Sequence, residues 1–166
     1  MIIVSDSGPL IALSKLNLLF ILQEFFEEIV IPKEVWREVV ERGKGKAGSE
    51  VIEKARWIKV QELGEELSIG VLCMEIERGE AEAIILAERI NADMLILDEK
   101  IPREIAGAIG LKVVGSLALI HEGIERGLIN QTLEEVTKKM RERKIWISDE
   151  IIEKVRSRAR LDWSEA

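Results

Sequence analysis

The stretch Ile2-Ile3-Val4-Ser5-Asp6-Ser7-Gly8-Pro9-Leu10-Ile11-Ala12-Leu13 joins a predicted strand to a predicted helix. Ile2 to Val4 is a continuous apolar run, which is typical of a strand that is covered on both faces. Pro9 is tolerated in the first turn of a helix, and the apolar residues after it predict a short helix there. Because the strand leads directly into the helix, this stretch is the first half of a strand–helix–strand unit, with Asp6 at the end of the strand.

Short apolar runs and segments of helical periodicity alternate along the rest of the chain. Residues 61–78 predict a loop with one helical turn at 71–76. The alternation predicts a three-layer α/β/α fold with a central parallel sheet. The further strands are predicted at 28–31, 57–60, 93–97 and 111–114. The further helices are predicted at 18–26, 32–42, 49–55, 80–90, 102–109 and 116–126.

Residues 129–166 predict a C-terminal helical extension rather than a second domain. Two N-capping residues, Thr132 and Ser148, begin the helices predicted there, which run to about residues 143 and 161. We therefore expect one domain, in which residues 1–128 form the core and residues 129–166 an extension of it.

Composition restricts the class of protein. With 47% apolar and 33% charged residues, the 166-residue chain is typical of a globular domain with a sizeable core. No apolar run approaches the roughly 20 residues needed to cross a bilayer, so we expect a cytoplasmic protein with no membrane partner. The only cysteine, Cys73, excludes an internal disulfide and a cysteine-based zinc site, and we expect it to be a small buried hydrophobe.

The net charge of −7 is unevenly distributed. Residues 1–130 carry 15 Lys and Arg against 23 Asp and Glu, whereas residues 131–166 carry 9 against 8. A basic cluster in the second part can bind phosphates or an acidic partner, or it can be an ordinary solvated helix face. Four basic residues there follow one another without an acid: Lys154, Arg156, Arg158 and Arg160.

Four acidic residues are candidates for a shared site: Asp6, Glu38, Glu82 and Asp98. Asp6 and Asp98 follow predicted buried strands, and ligands of open α/β sheets bind at the carboxyl ends of the strands. Glu38 lies at the edge of an apolar helical stripe, and Glu82 lies in a helix rich in Ala and Ile. Carboxylates gathered without a cation would repel one another and take up protons. The pattern therefore predicts a divalent metal site, and the oxygen ligands suit Mg²⁺ or Mn²⁺.

Alternatives stay open for each acid. Taken singly, each is more simply interpreted as a helix cap or a surface charge. Glu80 and Glu82 are two positions apart on one helix, so only one of them is expected to enter a shared site. Glu82 is favoured because it shares a face with apolar residues. Glu99 directly follows Asp98, so the same question arises there of which acid enters the site.

Five segments, taken in order, carry a resemblance to a known family. They are Asp6-Ser7-Gly8-Pro9-Leu10-Ile11-Ala12-Leu13, Ile31-Pro32 followed by Glu38, Gly79-Glu80-Ala81-Glu82-Ala83-Ile84, residues 93–99, and Gly110-Leu111 to Gly115-Ser116-Leu117. The chain resembles the PIN-domain family, and most of all its branch of small VapC-like toxins from prokaryotic toxin–antitoxin modules. The likeness covers residues 1 to about 128.

The resemblance implies a parallel sheet with an acidic site at the strand ends, metal-dependent cleavage of RNA, and frequent dimers. It also implies a protein antitoxin as a partner, so the expected partners are RNA, an antitoxin and a second copy of the chain. The residues that match the family's acidic quartet, whose third member is commonly Asp, are Asp6, Glu38, Glu82 and Asp98. The candidates for supporting these ligands or contacting a phosphate are Ser7, Glu80, Glu99, Arg103 and Ser116.

Other function classes stay open. A noncatalytic PIN-like module that binds RNA or a protein would keep the acids without metal, and a DNA-directed nuclease would use the same chemistry. A response-regulator receiver is disfavoured because Asp6 is followed by Ser7-Gly8-Pro9 rather than by a second acid. His121, the only histidine, is expected to be a packed or surface residue rather than a general base.

Tryptophans are candidates for stacking on bases. We expect Trp36 to lie in the core or in a dimer interface, and Trp146 and Trp163 to line a groove for a partner.

Overall fold

The computed structural model describes residues 1–158 and confirms the predicted fold class. Within these residues, five parallel strands form one sheet in the order β3-β2-β1-β4-β5. Helices cover both faces of the sheet. The strands in chain order are Ile3–Ser5 (β1), Ile29–Pro32 (β2), Ile58–Gln61 (β3), Met94–Ile96 (β4) and Val113–Val114 (β5).

Helices connect the strands, and their bounds agree with the predicted ones to within a few residues except at the fifth and the last. The helices between β1 and β3 are Ser7–Lys15 (α1), Phe20–Phe25 (α2), Lys33–Trp36 (α3), the π-helical turn Arg37–Glu41 that continues it, and Ser49–Lys54 (α4). The helices after β3 are Leu67–Leu72 (α5), Arg78–Arg89 (α6), Lys100–Ala108 (α7), Ser116–Glu125 (α8), Leu133–Glu142 (α9) and Asp149–Arg156 (α10).

Each central strand sends alternate side chains into two separate cores, because successive residues of a strand point to opposite faces. Ile3 and Ile96 are fully buried in the core that includes α1, α2 and α8. Val4 and Leu95 are fully buried in the other core, which includes α6. Burial on both faces explains why these strands are continuous apolar runs in the sequence.

The strand order creates a crevice beside β1. Val4 of β1 pairs with Val30 on one side and with Leu95 on the other. The chain moves outward from β1 to β3 and then returns to the opposite side of β1 with β4. Such a reversal is a topological switch point, and the crevice there opens at the carboxyl ends of the strands. Asp6 and Asp98 follow β1 and β4, so the fold places both at this crevice.

The C-terminal helices share the core that contains α1 and α8. Side chains of α9 and α10, including Val136, Met140 and Val155, are buried in it. α10 also packs against α8, so the two helices are part of one packed unit with the sheet. No helix among residues 1–158 is long and apolar enough to cross a membrane.

Two helices and the cysteine differ from the prediction. α5 begins at Leu67, before the turn predicted at 71–76, because Ile69 is buried in the second core. Gly70 lies in the middle of α5 and lowers its helix propensity, which hid the helix in the sequence. The prediction that Cys73 is buried was wrong: it follows α5 and is exposed.

The end of α10 also corrects the prediction of a helix to Leu161. α10 ends at Arg156, with Ser157 as its C-cap. Val155 is the last buried side chain of α10. Residues 159–166, which include Trp163, lie outside the described residues.

The tryptophans and the histidine differ in burial. Trp36 and Trp57 are partly buried against the core that contains α1, whereas Trp146 is almost fully exposed. His121 is partly buried, as expected of a packed residue, and its Nδ1 has no hydrogen-bond partner within the described part of the chain.

Candidate active site

Asp6 lies at the junction of β1 and α1. Its backbone N–H donates to the carbonyl of Ile96 in β4 at 3.1 Å, and its Oδ2 accepts a hydrogen bond from the N–H of Gly8 at 3.2 Å. Its Oδ1 is buried and has no hydrogen-bond partner among the residues that the structure describes. Burial raises the pKa of Asp6 to about 7; the N–H groups of Ser7 and Gly8 lower this pKa, and the charges of Glu38 and Glu80 raise it. The site therefore contains a carboxylate with one unsatisfied oxygen.

Glu38 reaches the crevice from the π-helical turn, where the N–H of Arg42 donates to the carbonyl of Arg37 at 2.8 Å. Burial raises the pKa of Glu38, and hydrogen bonding from the Ser7 side chain and the charge of Arg42 lower it. The Nη2 of Arg42 lies 3.5 Å from Glu38 and 2.6 Å from Glu34. Arg42 therefore offsets the repulsion between these two glutamates.

The start of α6 forms the opposite wall. A Cβ at Gly79 would lie 2.7 and 2.8 Å from the two carboxylate oxygens of Glu38, so a glycine lets this carboxylate approach the helix. Glu80 is buried, and its Oε2 accepts a hydrogen bond from the N–H of Glu77 at 3.0 Å. Burial raises the pKa of Glu80, the hydrogen bond lowers it, and the charges of Glu77, Glu99 and Glu38 raise it. Glu80 therefore belongs to the acidic cluster.

Glu82 is also buried, but its carboxylate has another partner. Its Oε1 accepts a hydrogen bond from the Nε of Arg78 at 2.9 Å, and Arg78 also lies 3.5 Å from Glu65. Two positions along a helix correspond to a rotation of about 200°, so Glu80 and Glu82 point in different directions. The charge of Glu80 raises the pKa of Asp6, whereas the carboxylate of Glu82 is paired with Arg78. The sequence-based choice of Glu82 stays a prediction, with Glu80 as the other candidate on α6.

Asp98 follows β4 on the other side of the crevice. Its Oδ1 accepts a hydrogen bond from the N–H of Ser116 at 2.7 Å, which ties it to the first residue of α8. Burial raises the pKa of Asp98, and Ser116 lowers it through its N–H and its side chain. The charge of Arg103 also lowers this pKa, whereas that of Glu99 raises it. Glu99 itself is exposed and contributes through its charge on both Asp98 and Glu80.

Arg103 of α7 lies beside Asp98. Its Nη1 donates to the carbonyl of Leu97 at 2.6 Å. A Cβ at Gly115 would lie 3.0 Å from this Nη1 and 3.2 Å from Oδ1 of Asp98. Gly115 therefore leaves room for the guanidinium and the carboxylate to lie against the same piece of backbone.

The donor set fits a hard divalent cation. Within residues 1–158, no three acidic, histidine or cysteine side chains are grouped closely enough to hold a metal by themselves. Mg²⁺ does not need such a cage, because it keeps several waters and binds through one or two carboxylates and substrate phosphates. The unsatisfied Oδ1 of Asp6 and the repulsion among Asp6, Glu38 and Glu80 would both be offset by a cation.

Comparisons with known proteins bear on the family and the fold of the chain. A sequence profile of the PIN domain matches residues 2–160. This chain belongs to the PIN domain family. The PIN domain is a nuclease-type fold, and its members typically use divalent metal ions. No curated protein sequence matches the chain.

A solved structure supports the fold of this PIN domain. It is that of a PilT N-terminus domain protein from the hyperthermophilic archaeon Sulfolobus solfataricus P2, with 20% sequence identity and a TM-score of 0.56. The match covers 75% of this chain and 95% of that chain. At this identity, the likeness confirms the fold alone.

Sequence reasoning assigned no role to Gly79 and Gly115. Each directly precedes a polar residue at the start of a helix, Glu80 or Ser116, and this was the signal available in the sequence. The need for glycine becomes visible only when Glu38 and Arg103, from distant parts of the chain, are placed against them.

We expect Asp6→Asn to stabilise the metal-free PIN domain more strongly at pH 8 than at pH 5. The folded pKa of about 7 exceeds the ordinary value of 3.8, so the folded state binds the extra proton, and stability falls as pH rises between these values. Above pH 7, the substitution should raise the free energy of unfolding by at most about 4 kcal/mol. Urea unfolding in EDTA at several pH values measures it.

Glu104→Gln is the matched control, because Glu104 is exposed on α7 and lies 3.9 Å from Lys100. Its effect on the free energy of unfolding should stay within about 0.5 kcal/mol at each pH. If Asp6→Asn raised the free energy of unfolding equally at pH 5 and pH 8, the raised pKa of Asp6 would be contradicted.

Proposed function

We propose that this PIN domain is a metal-dependent endoribonuclease that hydrolyses RNA phosphodiester bonds with Mg²⁺ or Mn²⁺. The observation that carries the proposal is the unsatisfied, buried Oδ1 of Asp6, next to the charges of Glu38 and Glu80. A structural acid would be expected to have its oxygens paired, because an unpaired buried polar atom is costly. A cluster that destabilises the metal-free protein instead is typical of a functional site.

Asp6 and Asp98 would be the primary metal ligands, with Glu38 and Glu80 completing the site or orienting waters. Bound divalent metal supplies a water of lowered pKa and neutralises charge that develops on the leaving oxygen. The protein holds the carboxylates in place beforehand. Gly8 fixes one oxygen of Asp6, and Ser116 fixes Oδ1 of Asp98.

The supporting residues also have defined tasks in this proposal. Ser7 lowers the pKa of Glu38 and so favours its charged form next to Asp6. Arg103 offsets part of the charge of Asp98 and would contact a phosphate of the RNA. Glu99 adds negative charge at the rim of the site. Glu82 is assigned a structural task, the pairing with Arg78.

We expect the purified protein to cleave single-stranded RNA when Mg²⁺ or Mn²⁺ is present and not in EDTA. Asp6→Asn should abolish cleavage while the circular dichroism spectrum is unchanged, because it removes a ligand charge without changing shape. Glu80→Gln should lower the rate by about 10- to 100-fold, and Glu82→Gln by much less. Gel analysis of an end-labelled RNA measures the rates.

The pair Glu80→Gln and Glu82→Gln decides between the structural and the sequence-based assignments. A large loss in Glu82→Gln with little loss in Glu80→Gln would return Glu82 to the site. Full activity in EDTA or in Asp6→Asn would refute the mechanism. A DNA strand of the same sequence, cleaved faster than the RNA, would favour a DNA-directed nuclease, and binding without cleavage would favour a noncatalytic module.

We expect Gly79→Ala to reduce cleavage strongly without reducing stability. The added Cβ would displace only the flexible carboxylate of Glu38, so the fold should tolerate it, while the acidic site would lose its arrangement. Gly70→Ala in α5 is the matched control, because a Cβ there meets nothing within 4 Å. Both variants should gain up to about 1 kcal/mol from the better helix propensity of alanine. Equal cleavage rates for the two variants would contradict the role of Gly79.

The resemblance to VapC-like toxins extends the proposal to partners: a homodimer, and an antitoxin that covers the acidic crevice. We expect expression of the wild-type chain to arrest growth of a bacterial host, and expression of Asp6→Asn not to. Coexpression of the protein encoded by the neighbouring gene should relieve the arrest and copurify with the chain. Growth that is unaffected by an actively cleaving wild-type enzyme would argue against a toxin.

A further inference from the structure

The loop between α9 and α10 presents a tryptophan to solvent. Ile145 and Ile147 are partly buried against the core that contains α1, whereas Trp146 between them is 97% exposed. The two isoleucines hold the backbone of the loop against the protein on both sides of the tryptophan. The indole ring therefore stands in solvent on a backbone that is anchored to the core.

The turn that precedes Trp146 is held by hydrogen bonds. Lys144 has a left-handed backbone with a φ of 59°, and its N–H donates to the carbonyl of Arg141 at 3.1 Å. The N–H of Ile145 donates to the carbonyl of Met140 at 2.8 Å, as is typical of a helix that ends in a left-handed residue. This turn sets the direction in which the lysine and the tryptophan leave the surface.

The surroundings of the tryptophan are basic. Residues 141–147 contain three basic residues and one acid. The guanidinium of Arg143 donates to the carbonyl of Lys15, the last residue of α1. Within residues 1–158, no carboxylate forms an ion pair with Lys144, which is exposed. Asp149, at the start of α10, is paired with Arg141 at 2.5 Å, so its charge is offset.

α1 connects this loop with the acidic crevice. Its first residue follows Asp6, and Arg143 binds its other end. Four residues of α1 that lie on one side of the helix are partly or fully exposed: Ser7, Gly8, Ile11 and Lys15. α1 contains no acidic residue. Its nine residues span about 12 Å, the length of about four nucleotides of a stacked strand.

An exposed aromatic ring beside a lysine is suited to single-stranded nucleic acid. Each base can stack on such a ring, whatever its identity, and the lysine can contact a neighbouring phosphate. A protein partner would be expected to find further apolar surface around the ring. Along the chain on both sides of Trp146, however, the apolar side chains pack towards the core, and the next exposed residues are Lys144 and Ser148.

We propose that Trp146 stacks on a base of single-stranded RNA whose phosphate contacts Lys144, about four nucleotides from the bond held at the acidic crevice. The proposal rests on the proposed function for the identity of the strand. It assigns the loop between α9 and α10 a task in substrate binding, at the end of α1 that lies away from the acids.

The test is the binding of a fluorescein-labelled 12-nucleotide RNA to the full chain in EDTA, followed by anisotropy. Trp146→Ala should weaken binding at least about fivefold, as expected for the loss of one stacked base, and Trp146→Phe should retain most of the affinity. A 12-unit ribose phosphate strand without bases should bind the wild type and Trp146→Ala equally. In the presence of metal, Trp146→Ala should raise KM and leave kcat unchanged, because it acts away from the bond that is cut.

Leu67→Ala is the matched control for the loss of an exposed apolar side chain. Leu67 is 86% exposed at the start of α5, whose buried residue Ile69 lies in the second core, on the other face of the sheet. This variant should bind RNA like the wild type. Equal RNA affinity for the wild type and Trp146→Ala would overturn the inference, as would an equal loss in Leu67→Ala. A variant Trp146→Ala that binds RNA normally but no longer retains a protein partner would overturn it as well.

The salt dependence of binding tests the phosphate contact. Lys144→Gln should reduce the steepness of log K against log salt by about 0.7, the amount expected for one phosphate on a single strand. Arg143 is left unchanged because it also supports the end of α1. Lys59→Gln is the matched control, since it removes one positive charge from β3, where Lys59 lies 3.5 Å from Glu28. Equal slopes for the wild type and Lys144→Gln would overturn the contact.

The binding test separates this inference from the proposed function. If the wild type cleaves no RNA with Mg²⁺ or Mn²⁺ but Trp146→Ala weakens binding, the ribonuclease proposal fails and the stacking site stands. If the wild type cleaves RNA and Trp146→Ala changes neither Kd nor KM, the stacking site fails and the ribonuclease proposal stands.

Discussion

The pairing of β1 with β4 is the contact on which the site depends. It places Ile3, Val4 and Ser5 opposite Met94, Leu95 and Ile96, with side chains buried on both faces of the sheet. Both strands run in the same direction, so their carboxyl ends coincide and the residues after them meet at one crevice. A slip of this register by one residue would exchange the faces of the whole strand and place apolar side chains in the wrong core. The two aspartates are therefore positioned by hydrophobic packing rather than by attraction between themselves and their neighbours.

Electrostatics oppose the fold at this crevice. Burial and like charges raise the pKa values of Asp6, Glu38 and Glu80 together, so the metal-free protein is less stable around neutral pH than its packing alone would make it. The two cores on either side of the sheet offset this cost. Glycine at Gly79 and Gly115 lets the charged groups come close without displacing backbone. A rigid scaffold around a locally unfavourable cluster is what a site for a cation requires.

The fold was accessible from the sequence because strands buried on both faces are short apolar runs, and because capping residues mark the helices. α5 could not be predicted from the sequence. Gly70 lowers its helix propensity, and its single buried side chain, Ile69, gives little helical periodicity. The position of the two aspartates at the crevice could be predicted from their place after strands. The surroundings of Glu80 and Glu82 could not, because both are buried and the pairing of Arg78 with Glu82 is visible only in the structure. Contacts between distant segments, such as the approach of Glu38 to Gly79, leave no pattern in a single sequence.

The separation of β1 from β4 along the chain has a consequence during synthesis. The paired residues are 91 positions apart, as Ile2 and Asp93 illustrate, so β1 leaves the ribosome long before its partner does. Until β4 follows, Asp6 lacks its backbone bond to Ile96, and Asp98 does not yet exist. Closing so long a loop is among the slow steps of folding. A nascent chain therefore cannot assemble this crevice while its first half is being translated.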